Sequence, residues 1–97
     1  MSRKISNSAA DAFYSGRPFK SSNTEVKANA DTTELYLFGN LIAIKKQKEV
    51  SITNAGWFSA TTKERLNALN VASIGQKAGK WYLNGKEWDG QLTIVAK

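Results

Sequence analysis

Apolar and polar residues alternate with two different periods along this chain, and the changes of period mark its elements. Residues 1–8, MSRKISNS, are polar and expected to fray. Ala9, Ala10, Ala12, Phe13 and Tyr14 then follow a helical spacing. Ser8 is placed to cap this helix, with Asp11 three positions on favouring its first turn. Gly16 followed by Pro18 stops it. Phe13 with one or both of Ala9 and Ala10 forms a narrow apolar stripe. Two turns are marginal alone, so the helix must dock on a sheet or order only on binding. Residues 17–23, RPFKSSN, read as a linker between this helix and the sheet.

From Thr24 the period is two. Val26, Ala28 and Ala30 alternate with Lys27 and Asn29, as in a strand with one solvated face. ELYLF meets LIAI across Gly39-Asn40, a pair suited to a two-residue hairpin turn. That turn predicts Leu35, Leu37, Ile42 and Ile44 on an aliphatic core face. Tyr36, Phe38, Leu41 and Ala43 then lie on the other face, with a Glu34–Lys45 pair at its end. Residues 45–49, KKQKE, turn the chain into a fourth strand, Val50 to Thr53, with Val50 and Ile52 inward. Asn54-Ala55-Gly56 breaks the sheet.

The stretch Gly56 to Asn70, GWFSATTKERLNALN, holds the central helix, predicted over about 61–69. Thr61 and Glu64 have the spacing of a capping box. Leu66 and Leu69 face the sheet, Lys63 and Arg65 face solvent, and Asn70 suits a left-handed end. Trp57 and Phe58 are expected to fill the junction between sheet and helix. In the tail, Val71 and Ile74 are the inward candidates. Ala78-Gly79, Asn84-Gly85 and Asp89-Gly90 are turns, and the Asn84-Gly85 hairpin pairs Trp81 with Trp88 and Tyr82 with Glu87. Leu92 to Val95 closes the chain. The class is α+β: a short N-terminal helix, a four-stranded antiparallel meander, one central helix and a second antiparallel meander.

Ninety-seven residues, 41% of them apolar and 23% charged, fit one domain spanning 1–97 with a modest core. Cysteine and histidine are both absent, which removes disulfides, zinc–thiolate sites, the commonest general base and the commonest transition-metal ligand. No apolar run is long enough to span a bilayer and no secretory h-region is present, so a soluble cytoplasmic protein without membrane contact is expected. Fourteen basic against eight acidic residues give a charge of +6. That charge serves solubility or attraction to polyanions and acidic proteins.

FGNLIAI, then ITNAGWFSATTKERLNAL, then KWYLNGKEWDG resemble a family of small phage-encoded proteins. Its pattern is a Gly-Asn or Gly-Thr hairpin followed by Ile-Ala, then an aromatic and Ser, then Thr-Thr opening a helix that ends near Leu-Asn. The likeness covers residues 20–95. It implies phage origin, an intracellular setting and a role in host takeover, counter-defence or genome handling. It brings no chemistry with it.

No spacing suggests a catalytic triad or nucleophile elbow, so an enzyme is not expected, nor is a cofactor. Glu87 and Asp89 near Asn84 carry too few charges for a calcium loop and read as turn chemistry. Gly79, Gly85 and Gly90 are too scattered to cradle phosphate. Aromatic rings beside cations are the remaining signal, because stacking on unpaired bases contributes about 1–3 kcal/mol per base. The candidate partner-binding residues are Lys45, Lys46, Lys48, Lys63, Arg65, Lys77, Lys80, Tyr36, Phe38 and Tyr82. Trp81 and Trp88 read instead as a cross-strand core pair. The first functional reading is a non-enzymatic accessory protein that holds nucleic acid through a basic surface. The alternative is a stoichiometric inhibitor of a host or anti-phage defence protein. A structural accessory, with a homodimer formed through a sheet edge, is a third.

Overall fold

The computed structural model describes residues 2–21, 23–56 and 60–96, with side chains from Asn7 onward. In chain order its elements are α1 (Ser2–Ser15), β1 (Phe19–Ser21), β2 (Thr24–Ala28), β3 (Thr32–Leu37), β4 (Asn40–Lys46) and β5 (Glu49–Ile52). These are followed by α2 (Ala60–Ala68), β6 (Ile74–Lys77), β7 (Lys80–Leu83), β8 (Lys86–Glu87) and β9 (Thr93–Ala96). The strands form two antiparallel sheets, one of six strands ordered β1-β2-β3-β4-β5-β9 and one of three ordered β6-β7-β8. The α+β class and the order of its parts are as the sequence predicts.

Helix α1 is longer than its capping signal. It begins at Ser2, so Ser8 lies inside it rather than at its cap, and residues expected to fray are helical. Its end is as expected: Gly16 takes φ +69° and the Arg17 amide reaches back to the Ala12 carbonyl at 3.0 Å. What holds the helix is docking. Ala9, Ala10, Ala12 and Phe13 are buried in the core, and removing a ring the size of Phe13 from water contributes about 2–3 kcal/mol. The small alanines let the helix lie close to β1, β2 and β3. The Tyr14 hydroxyl donates to the Leu69 carbonyl and ties α1 to the end of α2. The linker expected over 17–23 contains β1, which pairs Phe19 with Val26 and Ser21 with Thr24.

The β3–β4 hairpin turns one residue earlier than the sequence suggests. Phe38 and Gly39 occupy the turn, at φ +53° and +79°. Glycine also takes the second place in Ala55-Gly56, Ala78-Gly79 and Asn84-Gly85, all with both residues at positive φ. A mirror-image turn needs this at both positions, and glycine adopts it without a steric penalty. Leu35 therefore faces Ala43, Tyr36 faces Leu41 and Glu34 faces Ile44, with an irregularity between Leu35 and Tyr36. That bulge brings the adjacent Ile42 and Ala43 both into the core, at 1% and 0% exposure. Ile44, expected inward, lies on the outer face, and Ala43, expected outward, is inside. Lys45 stands opposite Thr33 and Val50 rather than Glu34.

Helix α2 begins at Ala60, one residue before the expected cap Thr61, and the position preceding it lies outside the described residues. Trp57 and Phe58 also lie outside them. Leu66 and Leu69 are buried as expected, and Asn70 takes the left-handed conformation at φ +58°. Asn67 clips α2 to β6 by donating to the Ile74 carbonyl at 3.0 Å and accepting from the Ile74 amide at 2.8 Å.

The small sheet pairs Tyr82 with Glu87 as predicted. It also brings Trp81 and Trp88 together in the core, with ring centroids 6.5 Å apart. Strand β9 does not extend that sheet. It returns to pair with β5 in the large one, Ile52 opposite Thr93. The Trp88 indole directs this return by donating to Thr93 Oγ1 at 3.0 Å. Thr53 and Asn54 meet Gly90 at a neck, where the Asn54 amide donates to the Gly90 carbonyl at 3.1 Å. The whole measures 38 × 31 × 19 Å. Packed layers lie about 10 Å apart, so the short dimension leaves room for the helices on one face of the large sheet only.

Candidate functional site

Strand alternation assigns the two faces of the large sheet. Val26, Leu35, Leu37, Ile42, Ala43, Val50 and Ile52 point at the helices and are buried. On the opposite side the ladders give two rows. Lys20, Glu25, Tyr36 and Leu41 face one another across β1 to β4. Lys27, Glu34, Ile44, Ser51 and Ile94 do so across β2 to β9. Lys46 and Glu49 pair beyond them. Tyr36, Leu41 and Ile44 are partly exposed and Ile94 is 48% exposed, so an apolar stripe crosses the face between charges.

Those charges cancel. Lys20, Lys27 and Lys46 stand beside Glu25, Glu34 and Glu49, and the +6 of the chain is therefore carried by its other residues. Within the face, Lys27 Nζ lies 4.9 Å from the centroid of the Tyr36 ring, a cation–π contact. The Tyr36 hydroxyl donates to Glu34 Oε1 at 2.9 Å. This bond to a carboxylate, with desolvation and the charges of Glu34 and Glu25 adding to it, raises the Tyr36 pKa above the ordinary tyrosine value.

At one end of the stripe stands Phe38. It is 63% exposed, and it holds φ +53° in the turn. Lys20, Asn23, Thr24, Glu25 and Gly39 line a shallow depression with it. A bulky residue at positive φ is a steric outlier, costing about 1–2 kcal/mol relative to its relaxed conformation. An exposed ring recovers none of that by burial.

The predicted cations do not form one surface. Arg65, expected to be solvated, is 2% exposed. Its Nε donates to Thr24 Oγ1 at 2.9 Å, Nη2 reaches Asn23 Oδ1 at 3.3 Å and Nη1 lies 3.5 Å from Glu64. Burial lowers its pKa and Glu64 partly restores it. The guanidinium is a clamp between α2 and the start of β2, because only a planar fork of donors can join that set. Lys45 points to the inner side of the sheet edge, Lys46 to the outer side opposite Glu49, and Lys48 is exposed in the turn between them. Lys63 donates to Gln76 at 3.4 Å.

Only Lys77, Lys80 and Tyr82 among the predicted residues share one face of the small sheet. There Gly75 is opposite Tyr82 and Lys77 opposite Lys80. Glu87 joins them, 3.8 Å from Lys80. The neighbouring Asn84 and Asp89 serve turns: Asn84 Oδ1 accepts from the Ser73 amide at 2.8 Å and Asp89 Oδ1 from the Gln91 amide at 3.0 Å. Leu41 lies on the face expected for it beside Tyr36, whereas Ile44, Ile94 and Gly75 were not legible as surface residues. Ile44 depends on the bulge in the β3–β4 ladder, Ile94 on which sheet β9 joins, and Gly75 on having Tyr82 across from it.

A protein-family model described as the Kyanoviridae Gp96 protein matches residues 2–94. The chain belongs to this family. It is thus a small phage-encoded protein, as the resemblance implied, and the match extends to α1, which that resemblance did not include. No curated protein and no solved structure matches it. Among the described residues no helix is long and apolar enough to cross a membrane.

Proposed function

We propose that this protein is a non-enzymatic phage accessory protein that binds another protein through the open face of its large sheet, with Phe38 as the anchor. In that role it is a stoichiometric inhibitor or modulator of a host or defence protein. Phe38 carries the reading. It is the exposed aromatic ring of the face and is held in a conformation that disfavours folding, the combination found where strain serves a site rather than the core. Buried aromatic anchors ringed by weaker polar contacts dominate protein interfaces. Tyr36 and Leu41 stand beside it, and Lys20 and Glu25 supply such a rim. The cancelled charge of the face also suits a protein surface better than a polyanion.

The test is Phe38→Asn. Asparagine tolerates φ > 0 and favours this turn position. The variant is expected to fold and to be more stable, by about 1 kcal/mol, as strain is released. It should lose partner capture at least about tenfold, as for an interface anchor. Affinity capture from infected cells, with nuclease added, compares the two forms. Equal capture of a stoichiometric protein by Phe38→Asn, or capture that nuclease abolishes, would overturn the proposal.

A further inference from the structure

The face of the small sheet that carries Tyr82 has an unexplained glycine. Gly75 lies inside β6 and, unlike the turn glycines, does not have a positive φ. A Cβ built on it meets nothing within 4 Å. Neither backbone conformation nor packing therefore requires glycine there, although glycine weakens a strand relative to alanine. Glycine in a strand also marks a place where a ligand approaches the backbone closely. Directly across the ladder is Tyr82, partly exposed, and the missing Cβ of Gly75 leaves the space beside it open. Lys77 and Lys80 continue the same face, paired with each other across the ladder and both exposed.

We infer that Gly75, Tyr82, Lys77 and Lys80 form a stacking platform for one unpaired base of single-stranded nucleic acid. The base lies on the Tyr82 ring over Gly75, and the two ammonium groups meet the flanking phosphates. Planarity comes from the ring, clearance from the missing Cβ, and charge complementarity from the lysines. Glu87 opposes the approach, because it lies opposite Tyr82 and 3.8 Å from Lys80. A strand that binds here competes with it for Lys80. A duplex cannot use the platform, because its bases are already stacked. The platform shares no residue with the Phe38 face, and the two stand or fall separately.

Fluorescence anisotropy of the full chain with labelled oligo(dT), oligo(U) and a duplex of equal length, across a salt series, tests this. Expected is binding of the single strands at low salt that weakens steeply as salt rises, with the duplex at least about tenfold weaker. Tyr82→Ala should weaken single-strand binding by about tenfold or more. Gly75→Val separates site from fold. A β-branched residue opposite Tyr82 keeps or raises thermal stability, yet it fills the space and should weaken binding by a similar factor. Glu87→Gln should tighten binding by about twofold as the competing charge goes. No binding of either single strand at low salt, duplex binding as tight as single-strand binding, or Gly75→Val binding like the parent would each overturn the platform.

Discussion

At the scale of single residues, two glycines with similar backbone angles differ in what surrounds them. Gly39 has φ +79° and open space where a Cβ would go. Gly90 has φ +87°, and a Cβ there would lie 2.2 Å from Asn54 Oδ1. Asn54 is itself 1% exposed, and its Oδ1 accepts from the Gly56 amide at 2.8 Å, so it cannot swing aside. Gly39→Ala is expected to cost about 1 kcal/mol, the conformational term alone. Gly90→Ala should cost about 3 kcal/mol or more, because overlap and a lost buried contact are added. Urea denaturation of the two variants measures this difference, and similar losses would contradict it. Arg65 is the residue whose role was least legible. Nothing in TTKERL distinguishes a solvated arginine from one that clamps Thr24 and Asn23, because its partners lie more than forty positions away.

At the scale of elements, periodicity identified most of the architecture. Val26, Leu35, Leu37, Val50, Ile52, Leu66, Leu69, Ile74 and the Trp81–Trp88 pair are core as their patterns predict. What failed was register. Gly39-Asn40 and Phe38-Gly39 are both possible two-residue turns, and local preference favours the first. The fold adopts the second, and a bulge then buries both Ile42 and Ala43. The one-residue shift at the bulge exchanges faces beyond it, so Ile44 lies on the surface, while Tyr36 and Leu41 keep the face their pattern predicts. Helix α1 exceeds its sequence signal for another reason. A helix that docks through Ala9, Ala12 and Phe13 can extend into a polar segment that has no periodic signal of its own. The pattern of β9 marks it as a strand but not its sheet, because its pairing with β5 joins residues more than forty positions apart.

At the scale of the whole molecule, burial on one side and exposure on the other give the protein a distinct alkaline limit. Desolvation raises the pKa of Tyr14, whose hydroxyl bridges the two helices, and Glu34 raises that of Tyr36. For a group whose folded pKa lies above its unfolded one, the stabilisation is complete below the unfolded value. It is lost as pH rises through the folded value. The denaturation midpoint is therefore expected to fall as pH rises past 10.0, the ordinary tyrosine value. Tyr36→Phe should make this fall shallower. Chemical denaturation at stepped pH, followed by tryptophan fluorescence, checks both. A midpoint that is unchanged through alkaline pH would contradict the assignment.

The neck where Thr53 and Asn54 meet Gly90 also predicts an order of assembly. Strands β5 and β9 are neighbours, yet residues 53–92 lie between them in the chain. Closing a flexible loop of that length costs about 3 kcal/mol beyond the constant term, whereas the hairpins of β3–β4 and β6–β7 close over two residues. The small sheet and α2 are predicted to fold before the neck forms, because folding them shortens that loop. The last strand then adds to a sheet that is already present. Val95, which packs against the core from β9, is thus predicted to be absent from the rate-limiting ensemble. Val95→Ala should hasten unfolding and leave the folding rate almost unchanged, while Leu35→Ala should slow folding. Stopped-flow refolding would refute this order if Val95→Ala slowed folding in proportion to the stability it removes.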